Sequence, residues 1–304
     1  MLDVDLGPLR LKNPVMTASG TWGYGHDVQP PSLSARLGAV CTKGLSLAPR
    51  PGNPPPRTWE TPSGMLNAIG LANIGVEAFL AGVLPVLRAS GVTVITNIFA
   101  ESTDEFSRLA ARLSTPGVAG LELNVSCPNV DRGGIHFGRD PVTAAALTRA
   151  VRSASDLPII VKMTPEAPDV TAVARACEEA GASAISAINT IRGMAVDVEA
   201  RRPRLSTVSG GLSGPAIRPI AVRIVHEISR AVRIPVVGIG GIATARDALE
   251  FLVAGATAVQ VGTASFIDPM APLHVLEGIE EWCRSHSTTV RDIVGSLRTD
   301  RGRP

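Results

Sequence analysis

A short apolar segment followed by an amphipathic helix pattern recurs eight times along the chain, and this alternation constrains the fold more than any other feature. Strands that are apolar at almost every position are typical of a parallel sheet that is buried on both faces. We predict strands at Pro14 to Ala18, Ala39 to Thr42, Thr93 to Ile98, Gly120 to Val125, Pro158 to Met163, Ala184 to Ile188, Pro235 to Ile239 and Ala258 to Val261. The even spacing favours an α/β fold, a single-domain (β/α)8 TIM barrel over residues 1–304, rather than an open doubly wound sheet.

Segments outside this repeat predict additions to the barrel. Val4, Leu6, Leu9 and Leu11 bracket Gly7-Pro8, which indicates an N-terminal hairpin that would cap one end of the barrel. The helix after the seventh strand should begin at Thr244, because Thr244-x-x-Asp247 can form a capping box. Three long connections, 45–74, 126–140 and 190–216, all follow strands at the C-terminal face, where long loops usually form lids or binding elements.

Small and polar residues stand where the predicted strands end. In strand order they are Ser19, Lys43-Gly44, Asn97, Asn124, Lys162, Asn189-Thr190, Gly240-Gly241 and Gly262-Thr263. Active sites in (β/α)8 barrels are built at the C-terminal ends of the strands. We therefore predict that two lysines, several amides and bare backbone converge on one mouth.

The segment 121–129, Leu-Glu-Leu-Asn-Val-Ser-Cys-Pro-Asn, places a thiol at this mouth. Leu121, Leu123 and Val125 alternate with polar residues as in a strand, and the following proline forces a turn beside Cys127. Asn124 and Asn129 could each offer a donor and an acceptor to a planar ring. A buried cysteine that merely acts as a small hydrophobe is the competing interpretation.

The last two strand ends resemble the phosphate site that many barrels build from the loops after strands 7 and 8. Glycines there would let a phosphate approach the backbone, and the N–H groups of the helix that begins at Thr244 would point at it. Lys162, on an otherwise apolar strand, needs an anionic partner. It could form an imine with a substrate, or form a structural ion pair, or act as the cation that stabilises a reduced flavin.

Composition excludes several classes of function. A net charge of +2 at pH 7 is too weak to argue for nucleic acid binding, and the densest basic group, Arg201, Arg202 and Arg204, favours a solvated loop face. Cys41, Cys127, Cys177 and Cys283 form no CxxC, so their spacing predicts neither a zinc site nor an iron–sulfur cluster and suits a reducing cytoplasm. No segment predicts a signal peptide or a membrane span.

Seven motifs together resemble the class 1 dihydroorotate dehydrogenases over nearly the whole chain. They are ASGTWGYG (18–25), TKG (42–44), ETPSGMLNAIGLAN (60–73), LNVSCPN (123–129), GGIHFGRDP (133–141), NTIRGMAVD (189–197) and GGLSGPAI (210–217). The last two are similar to the B subtype, the NAD-linked catalytic subunit. The resemblance implies oxidation of dihydroorotate to orotate in pyrimidine biosynthesis by a flavoprotein oxidoreductase.

The resemblance also implies roles for single residues. Cys127 would be the catalytic base. FMN would contact Ser19, Lys43, Gly44, Asn97, Asn124, Lys162, Ile188, Gly214, Gly240, Gly241, Gly262 and Thr263. Dihydroorotate would contact Lys43, Asn67, Ala68, Ile69, Gly70, Leu71, Asn124, Asn129, Asn189 and Thr190.

Electrons would then pass to NAD⁺ through a partner subunit that carries FAD and a [2Fe–2S] cluster, in a heterotetramer built on a homodimer of this chain. Four alternatives stay open at the sequence level. One is a fumarate-linked class 1 enzyme and another is a tRNA dihydrouridine synthase, although the basic surface expected of the latter is missing. The third is a phosphate-binding aldolase or isomerase that uses Lys162 without redox chemistry. The fourth is a non-catalytic scaffold that retains the barrel, against which the presence of Cys127, Lys43, Lys162 and Asn67 argues.

Overall fold

The structure is a computed structural model that describes residues 1–27, 30–125 and 137–299. Its strands are β1 (Val4–Leu6), β2 (Leu9–Leu11), β3 (Val15–Thr17), β4 (Ala39–Cys41), β5 (Thr58–Thr61), β6 (Gly64–Asn67), β7 (Val94–Ile98), β8 (Val118–Asn124), β9 (Ile159–Met163), β10 (Ala184–Ala187), β11 (Ile191–Gly193), β12 (Val196–Asp197), β13 (Arg202–Pro203), β14 (Gly210–Ser213), β15 (Val236–Ile239) and β16 (Ala258–Val261). Its helices are α1 (Pro31–Ser34), α2 (Val76–Ala78), a π-helical turn (Phe79–Val83), α3 (Leu84–Ala89), α4 (Thr103–Leu113), α5 (Pro141–Ala154), α6 (Val170–Glu179), a 3₁₀ turn (Pro215–Ile217), α7 (Arg218–Ala231), α8 (Ala245–Ala254), α9 (Ala264–Ile267), α10 (Ala271–Ser285) and α11 (Val290–Ile293).

Eight parallel strands close into a barrel in the order β3, β4, β7, β8, β9, β10, β15, β16. The predicted (β/α)8 barrel is therefore confirmed, and the predicted strand ends differ from the observed ones by one or two residues at most. The strands form here because they are rich in branched apolar residues that are buried on both faces; all five residues of β9, for example, are buried. The C-terminal ends of all eight strands consequently meet at one mouth.

Amphipathic helices surround the barrel and begin at capping residues. Ser102, Asp140 and Asp169 each accept a hydrogen bond from a backbone N–H of the first turn of α4, α5 and α6. The apolar face of α4, with Phe106 and Leu109 fully buried, packs towards the strands. The core therefore lies between the outer face of the barrel and the helices. No helix among residues 1–27, 30–125 and 137–299 is both long and apolar enough to cross a membrane.

The predicted N-terminal hairpin is confirmed. β1 and β2 pair antiparallel, with Leu6 opposite Leu9. Gly7 in the turn has φ +61°, and an ideal Cβ on it would lie 2.9 Å from the carbonyl oxygen of Ser183, just before β10 begins. The hairpin therefore lies against the N-terminal end of the barrel, opposite the mouth, as expected of a cap.

Two of the three long connections, 45–74 and 190–216, contribute strands to one sheet that the sequence analysis did not predict. β11, β14, β6 and β5 form a four-stranded antiparallel sheet in that order, in which Gly211 pairs with Asn67. Its strands come from two connections far apart in the chain, so no periodicity within one segment reveals their pairing.

The loop that contains Arg204 is more structured than the solvated loop face that the sequence analysis predicted. The guanidinium of Arg204 forms an ion pair with Asp197 at 2.6 Å and lies 4.5 Å from the ring centroid of Trp59.

Candidate active site

A carboxylate stands at the centre of the barrel interior. Glu122 on β8 is fully buried, and it accepts hydrogen bonds from side chains on four other strands. Its Oε1 accepts from Asn97 Nδ2 at 2.7 Å and from Cys41 Sγ at 3.2 Å, while its Oε2 accepts from Gln260 Nε2 at 2.8 Å and from Ser186 Oγ at 2.9 Å. The ammonium nitrogen of Lys162 on β9 lies 3.8 Å from Oε1. This barrel therefore contains a polar cluster where branched apolar side chains usually dominate.

The neighbours of Glu122 stabilise its charged form. Burial opposes ionisation, but the charge of Lys162 and the hydrogen bonds that the carboxylate accepts hold the pKa of Glu122 below its ordinary value. Burial, together with the charge of Glu122, raises the pKa of the Cys41 thiol well above its ordinary value. Cys41 therefore stays protonated as a hydrogen-bond donor and is no candidate for a nucleophile or a base.

Lys162 connects this cluster to the mouth. Its side chain is almost completely buried, and Nζ donates to the hydroxyl oxygen of Ser19, which follows β3, at 3.3 Å. The structure thus brings together three predicted site residues, Ser19, Asn97 and Lys162, at the C-terminal ends of three strands. Of the three interpretations of Lys162, the structural ion pair is present.

A second group of predicted residues, Asn124, Asn189 and Thr190, lies beside the first. Asn124 ends β8 and stands opposite Lys162 in the β8–β9 register. Its Oδ1 accepts from Asn189 Nδ2 at 3.1 Å, and the Oδ1 of Asn189 accepts from the backbone N–H of Thr190 at 2.8 Å. Because the backbone of Thr190 orients Asn189 and Asn189 orients Asn124, these two amides are held in fixed orientations at the mouth, where the sequence analysis predicted that amides converge.

All four glycines predicted to hold a phosphate pack closely against their neighbours. An ideal Cβ on Gly241 would lie 2.7 Å from Cβ of Arg218, and one on Gly214 would lie 2.7 Å from Cα of Gly64. The Cβ on Gly241 would also lie 2.8 Å from the carbonyl oxygen of Gly214, and that on Gly214 would lie 3.6 Å from Cγ2 of Thr263. Thr263 also donates to the hydroxyl of Ser213 at 2.7 Å. These residues form a strip of backbone and hydroxyl groups at the ends of β14, β15 and β16, which we call the glycine strip.

The other two glycines, Gly240 and Gly262, are also closely packed. A Cβ on Gly240 would lie 2.8 Å from that of Ala221 in α7, so the missing side chain accommodates the helix. A Cβ on Gly262 would lie 3.2 Å from Cβ of Ala18, next to Ser19.

The predicted capping box at the start of α8 is confirmed, and it uses some of the N–H groups that were predicted to point at a phosphate. Asp247 Oδ2 accepts from the backbone N–H of Ala243 at 3.0 Å and of Thr244 at 2.9 Å, and the N–H of Asp247 donates to Thr244 Oγ1. Asp247 also forms an ion pair with Arg218. The N–H groups of Ala243 and Thr244 therefore have a carboxylate partner, and that of Asp247 has a hydroxyl partner, within the capping box.

The segment Asn67 to Leu71 reaches the mouth through Asn67. Asn67 Nδ2 donates to the carbonyl oxygen of Gly211 at 3.3 Å, and a Cβ on Gly211 would collide with Thr190. The contacts of the following residues are with the 50–57 segment: the N–H of Ala68 donates to Arg57, and the N–H of Asn53 donates to Ile69. Gly70 and Leu71 both have positive φ, +72° and +60°, so the backbone turns sharply here.

The remaining predicted residues complete the lining. Lys43 is half-buried, and its backbone N–H donates to Gly23; Gly44 lies next to Asn97, whose Oδ1 would be 3.0 Å from a Cβ on the glycine. Ile188 is buried and its N–H donates to Ile239 at 2.9 Å. Cys127 and Asn129 lie outside the described residues.

Comparison with known proteins agrees with this arrangement. A sequence model of the family described as dihydroorotate dehydrogenase matches residues 1–283. The chain belongs to the dihydroorotate dehydrogenase family. The family resemblance that the seven motifs predicted is therefore confirmed.

Curated relatives share about half of their residues with this chain over almost its full length. A protein of Pelobacter propionicus is 53% identical over 298 residues, which cover 97% of this chain and 98% of the relative. A protein of Trichlorobacter lovleyi matches equally well, at 53% over 298 residues, and one of Thermoanaerobacter sp. is 48% identical over 300 residues. All three are named dihydroorotate dehydrogenase B (NAD(+)), catalytic subunit.

The sequence analysis missed Glu122, Gln260, Ser186 and Cys41 as members of one cluster. The available signal was a polar residue in the middle of strands that are otherwise apolar, as in Ala-Val-Gln-Val for β16 and Ala-Ile-Ser-Ala for β10. Each is unremarkable alone. That these four residues form one cluster follows only from the closed barrel, because only closure brings β4, β8, β10 and β16 around one interior.

Proposed function

We propose that this chain is the catalytic subunit of an NAD-linked dihydroorotate dehydrogenase, which oxidises (S)-dihydroorotate to orotate in the synthesis of UMP. The observation that carries the proposal is the buried ammonium of Lys162 at the barrel mouth, between the hydroxyl of Ser19 and the carboxylate of Glu122. Family membership and the names of the relatives support the same activity. In this proposal residues 1–304 act as one FMN-binding domain in the cytoplasm.

The residues at the mouth fit FMN. A flavin needs amide donors and acceptors along one ring edge and a cation near the position that becomes negative on reduction; Asn97, Asn124 and Lys162 are of these types. The glycine strip offers backbone groups of Gly214 and Gly241 and the hydroxyl groups of Ser213 and Thr263, which are groups that suit a phosphate. Ser19, Lys43, Gly44, Ile188, Gly240 and Gly262 complete the set that we propose to contact FMN. When bound, FMN supplies the acceptor for a hydride.

We propose that dihydroorotate binds above this layer. Lys43 is the residue that would meet its carboxylate, while Asn67, Asn124, Asn129, Asn189 and Thr190 would hydrogen-bond its ring. The segment Ala68, Ile69, Gly70 and Leu71 would close over it. The fixed orientation of Asn124 by Asn189 supports the proposal, because a preorganised amide holds a planar ring in one pose.

Cys127 is the proposed base that removes the C5 proton. A free thiol has a pKa of about 8.5, so activity should rise with pH towards that value. Cys127→Ala should keep its yellow colour and bind dihydroorotate, yet lose turnover by roughly 10²-fold to 10⁴-fold. A variant with unchanged kcat would remove Cys127 from this role.

Electrons must leave the site, and we propose that a second subunit with FAD and a [2Fe–2S] cluster passes them to NAD⁺. The words "catalytic subunit" in the names of the relatives support the existence of a partner. A homodimer of catalytic subunits within a heterotetramer is the proposed assembly. If the chain alone reduced NAD⁺ efficiently, this partner would be unnecessary.

The deciding experiment is anaerobic mixing of the purified chain with dihydroorotate while the flavin absorbance is recorded. Bleaching of the yellow colour with formation of orotate is the expected result. A protein that contains FMN but is not bleached would contradict the substrate, and a protein that binds no flavin would contradict the redox function altogether.

A further inference from the structure

The interior of this barrel holds a charge that the proposed chemistry does not itself use. Glu122 touches neither the glycine strip nor the amides of Asn124 and Asn189 in any hydrogen bond that the described residues show. A fully buried carboxylate is unfavourable unless donors surround it. Its retention in the interior therefore requires an explanation beyond packing.

The surrounding side chains are arranged for an ionised carboxylate. Asn97, Cys41, Gln260 and Ser186 all donate to it. Gln260 turns its NH₂ group to the carboxylate, although this leaves its own buried Oε1 without a hydrogen-bond partner among the described residues. A protonated carboxyl group could have donated to that oxygen, so the cluster is complementary to the negative charge.

The charge is directed towards the mouth through one oxygen. Oε1 of Glu122 faces both Lys162 Nζ and Asn97 Nδ2. Lys162 continues to Ser19, and the Oδ1 of Asn97 is turned towards Gly44. Lys162 and Asn97 are both among the residues proposed to contact FMN, whereas Glu122 itself lies beneath them.

We propose that Glu122 is a positioning residue that acts through Lys162: it holds the ammonium at the floor of the mouth and offsets its charge, and thereby sets the reduction potential of bound FMN. This inference rests on the proposed function, since it needs FMN above Lys162. A cation stabilises the reduced, more negative flavin and so raises its potential, and a carboxylate beside that cation weakens the effect. Glu122 therefore keeps the potential lower than Lys162 alone would set it.

The test is a spectroscopic redox titration of FMN bound to the full chain, with a set of matched variants. Glu122→Gln removes the charge at nearly constant shape, and Glu122→Asp keeps the charge but withdraws it by one methylene. Thr148→Val is the control, because it removes a buried hydrogen bond, from Thr148 to the carbonyl oxygen of Ala144 in α5, outside the barrel interior. Glu122→Gln combined with Lys162→Met, compared with Lys162→Met alone, asks whether the effect passes through Lys162.

We expect Glu122→Gln to shift the midpoint potential to a more positive value, Glu122→Asp to shift it less in the same direction, and Thr148→Val to leave it unchanged. In the Lys162→Met background, Glu122→Gln should produce no shift. An unchanged potential in Glu122→Gln would overturn the proposal, and so would a shift of equal size without the lysine. If Glu122→Gln does not fold, Glu122→Asp and the Lys162→Met pair of variants decide by the same criteria.

Failure of this proposal and failure of the proposed function give different results. A wild-type chain that binds FMN and is bleached by dihydroorotate, with a potential insensitive to Glu122, contradicts only the role of Glu122. A wild-type chain that binds no FMN contradicts both.

Discussion

Lys162 and Glu122 form an ion pair inside the barrel with 3.8 Å between their nearest charged atoms, whereas Arg112 of α4 and Glu77 of α2 form one on the outer surface with two contacts of 2.7 Å. If distance alone decided the strength of an ion pair, the outer pair would be the stronger one. Yet the inner pair is almost inaccessible to water, and both outer side chains are more than half exposed. Because water screens charge far more effectively than a protein interior does, burial and not distance decides which pair matters.

The two pairs also differ in their surroundings. The outer pair consists of Arg112 and Glu77 without a larger polar cluster around them in the described residues. The hydrogen bonds from Arg112 hold the pKa of Glu77 below its ordinary value. The inner pair belongs to a cluster drawn from several strands, so a change at one member affects the rest. Substitutions inside should therefore alter both chemistry and stability, and those outside should alter neither.

The largest effect is expected for Lys162→Ala. If Lys162 meets the charge that develops at the site, its loss should slow reduction by dihydroorotate about 10²-fold to 10³-fold, the usual effect of removing one preorganised donor. Stopped-flow absorbance under anaerobic conditions measures this rate. Thr148→Val serves as the control for a change of buried structure, and reduction at the wild-type rate in Lys162→Ala would refute the assignment.

The second prediction concerns stability. Glu122→Gln leaves the ammonium of Lys162 buried without its opposite charge, and breaking a buried pair in this way lowers the free energy of unfolding by about 3–5 kcal/mol. Removing both charges, in Glu122→Gln with Lys162→Met, should cost less than the single substitution, because no uncompensated charge is left. Urea unfolding of the three proteins gives the comparison. A double variant that is less stable than Glu122→Gln would show that Lys162 stabilises the fold even without Glu122, and would contradict the cost assigned to an uncompensated charge.

A smaller effect is expected from pH. The folded-state pKa of Glu122 lies below its ordinary value of 4.5, so the unfolded chain binds more protons on this group as the pH falls. Its contribution to stability is therefore present above about pH 4.5 and is lost as the pH falls through the folded-state value. The difference in unfolding free energy between wild type and Glu122→Gln should shrink on acidification from pH 6.

Surface carboxylates such as Glu77 lose their own contribution in the same direction, but they do so equally in both proteins and cancel in the difference. A constant difference down to pH 3 would mean that folding leaves the pKa of Glu122 unchanged, and a difference that grows on acidification would mean that Glu122 is protonated in the folded protein.

Much of the fold and part of the site could be predicted from the sequence because they depend on local patterns. Apolar strands of four or five residues, the Thr244 capping box and the Gly7-Pro8 turn are each specified by neighbours in the chain. The placement of Ser19, Asn97 and Lys162 at one mouth follows from strand order alone once the barrel is assumed. The mouth was therefore predictable before any contact within it was known.

The interior cluster and the four-stranded sheet could not be predicted in the same way. Gln260 and Glu122 are separated by 138 positions and meet only because the barrel closes. Gly211 and Asn67 pair across 144 positions for a comparable reason. Polar residues inside an apolar strand also look like isolated exceptions in the sequence. Their physical requirement, a donor for every buried acceptor, appears only when the partners are in contact.

The smallest effect is expected for Glu77→Gln, the outer counterpart of Glu122→Gln. The substitution removes the same charge and leaves Arg112 free to be solvated, because the guanidinium is already half exposed. Exposed pairs contribute little, since water and salt screen them and two long side chains lose freedom when they pair. We expect the urea midpoint, the FMN potential and the rate of reduction to be indistinguishable from wild type at physiological salt. Should Glu77→Gln instead destabilise the protein as much as Glu122→Gln does, distance rather than burial would govern these pairs, and the contrast between inside and outside would fail.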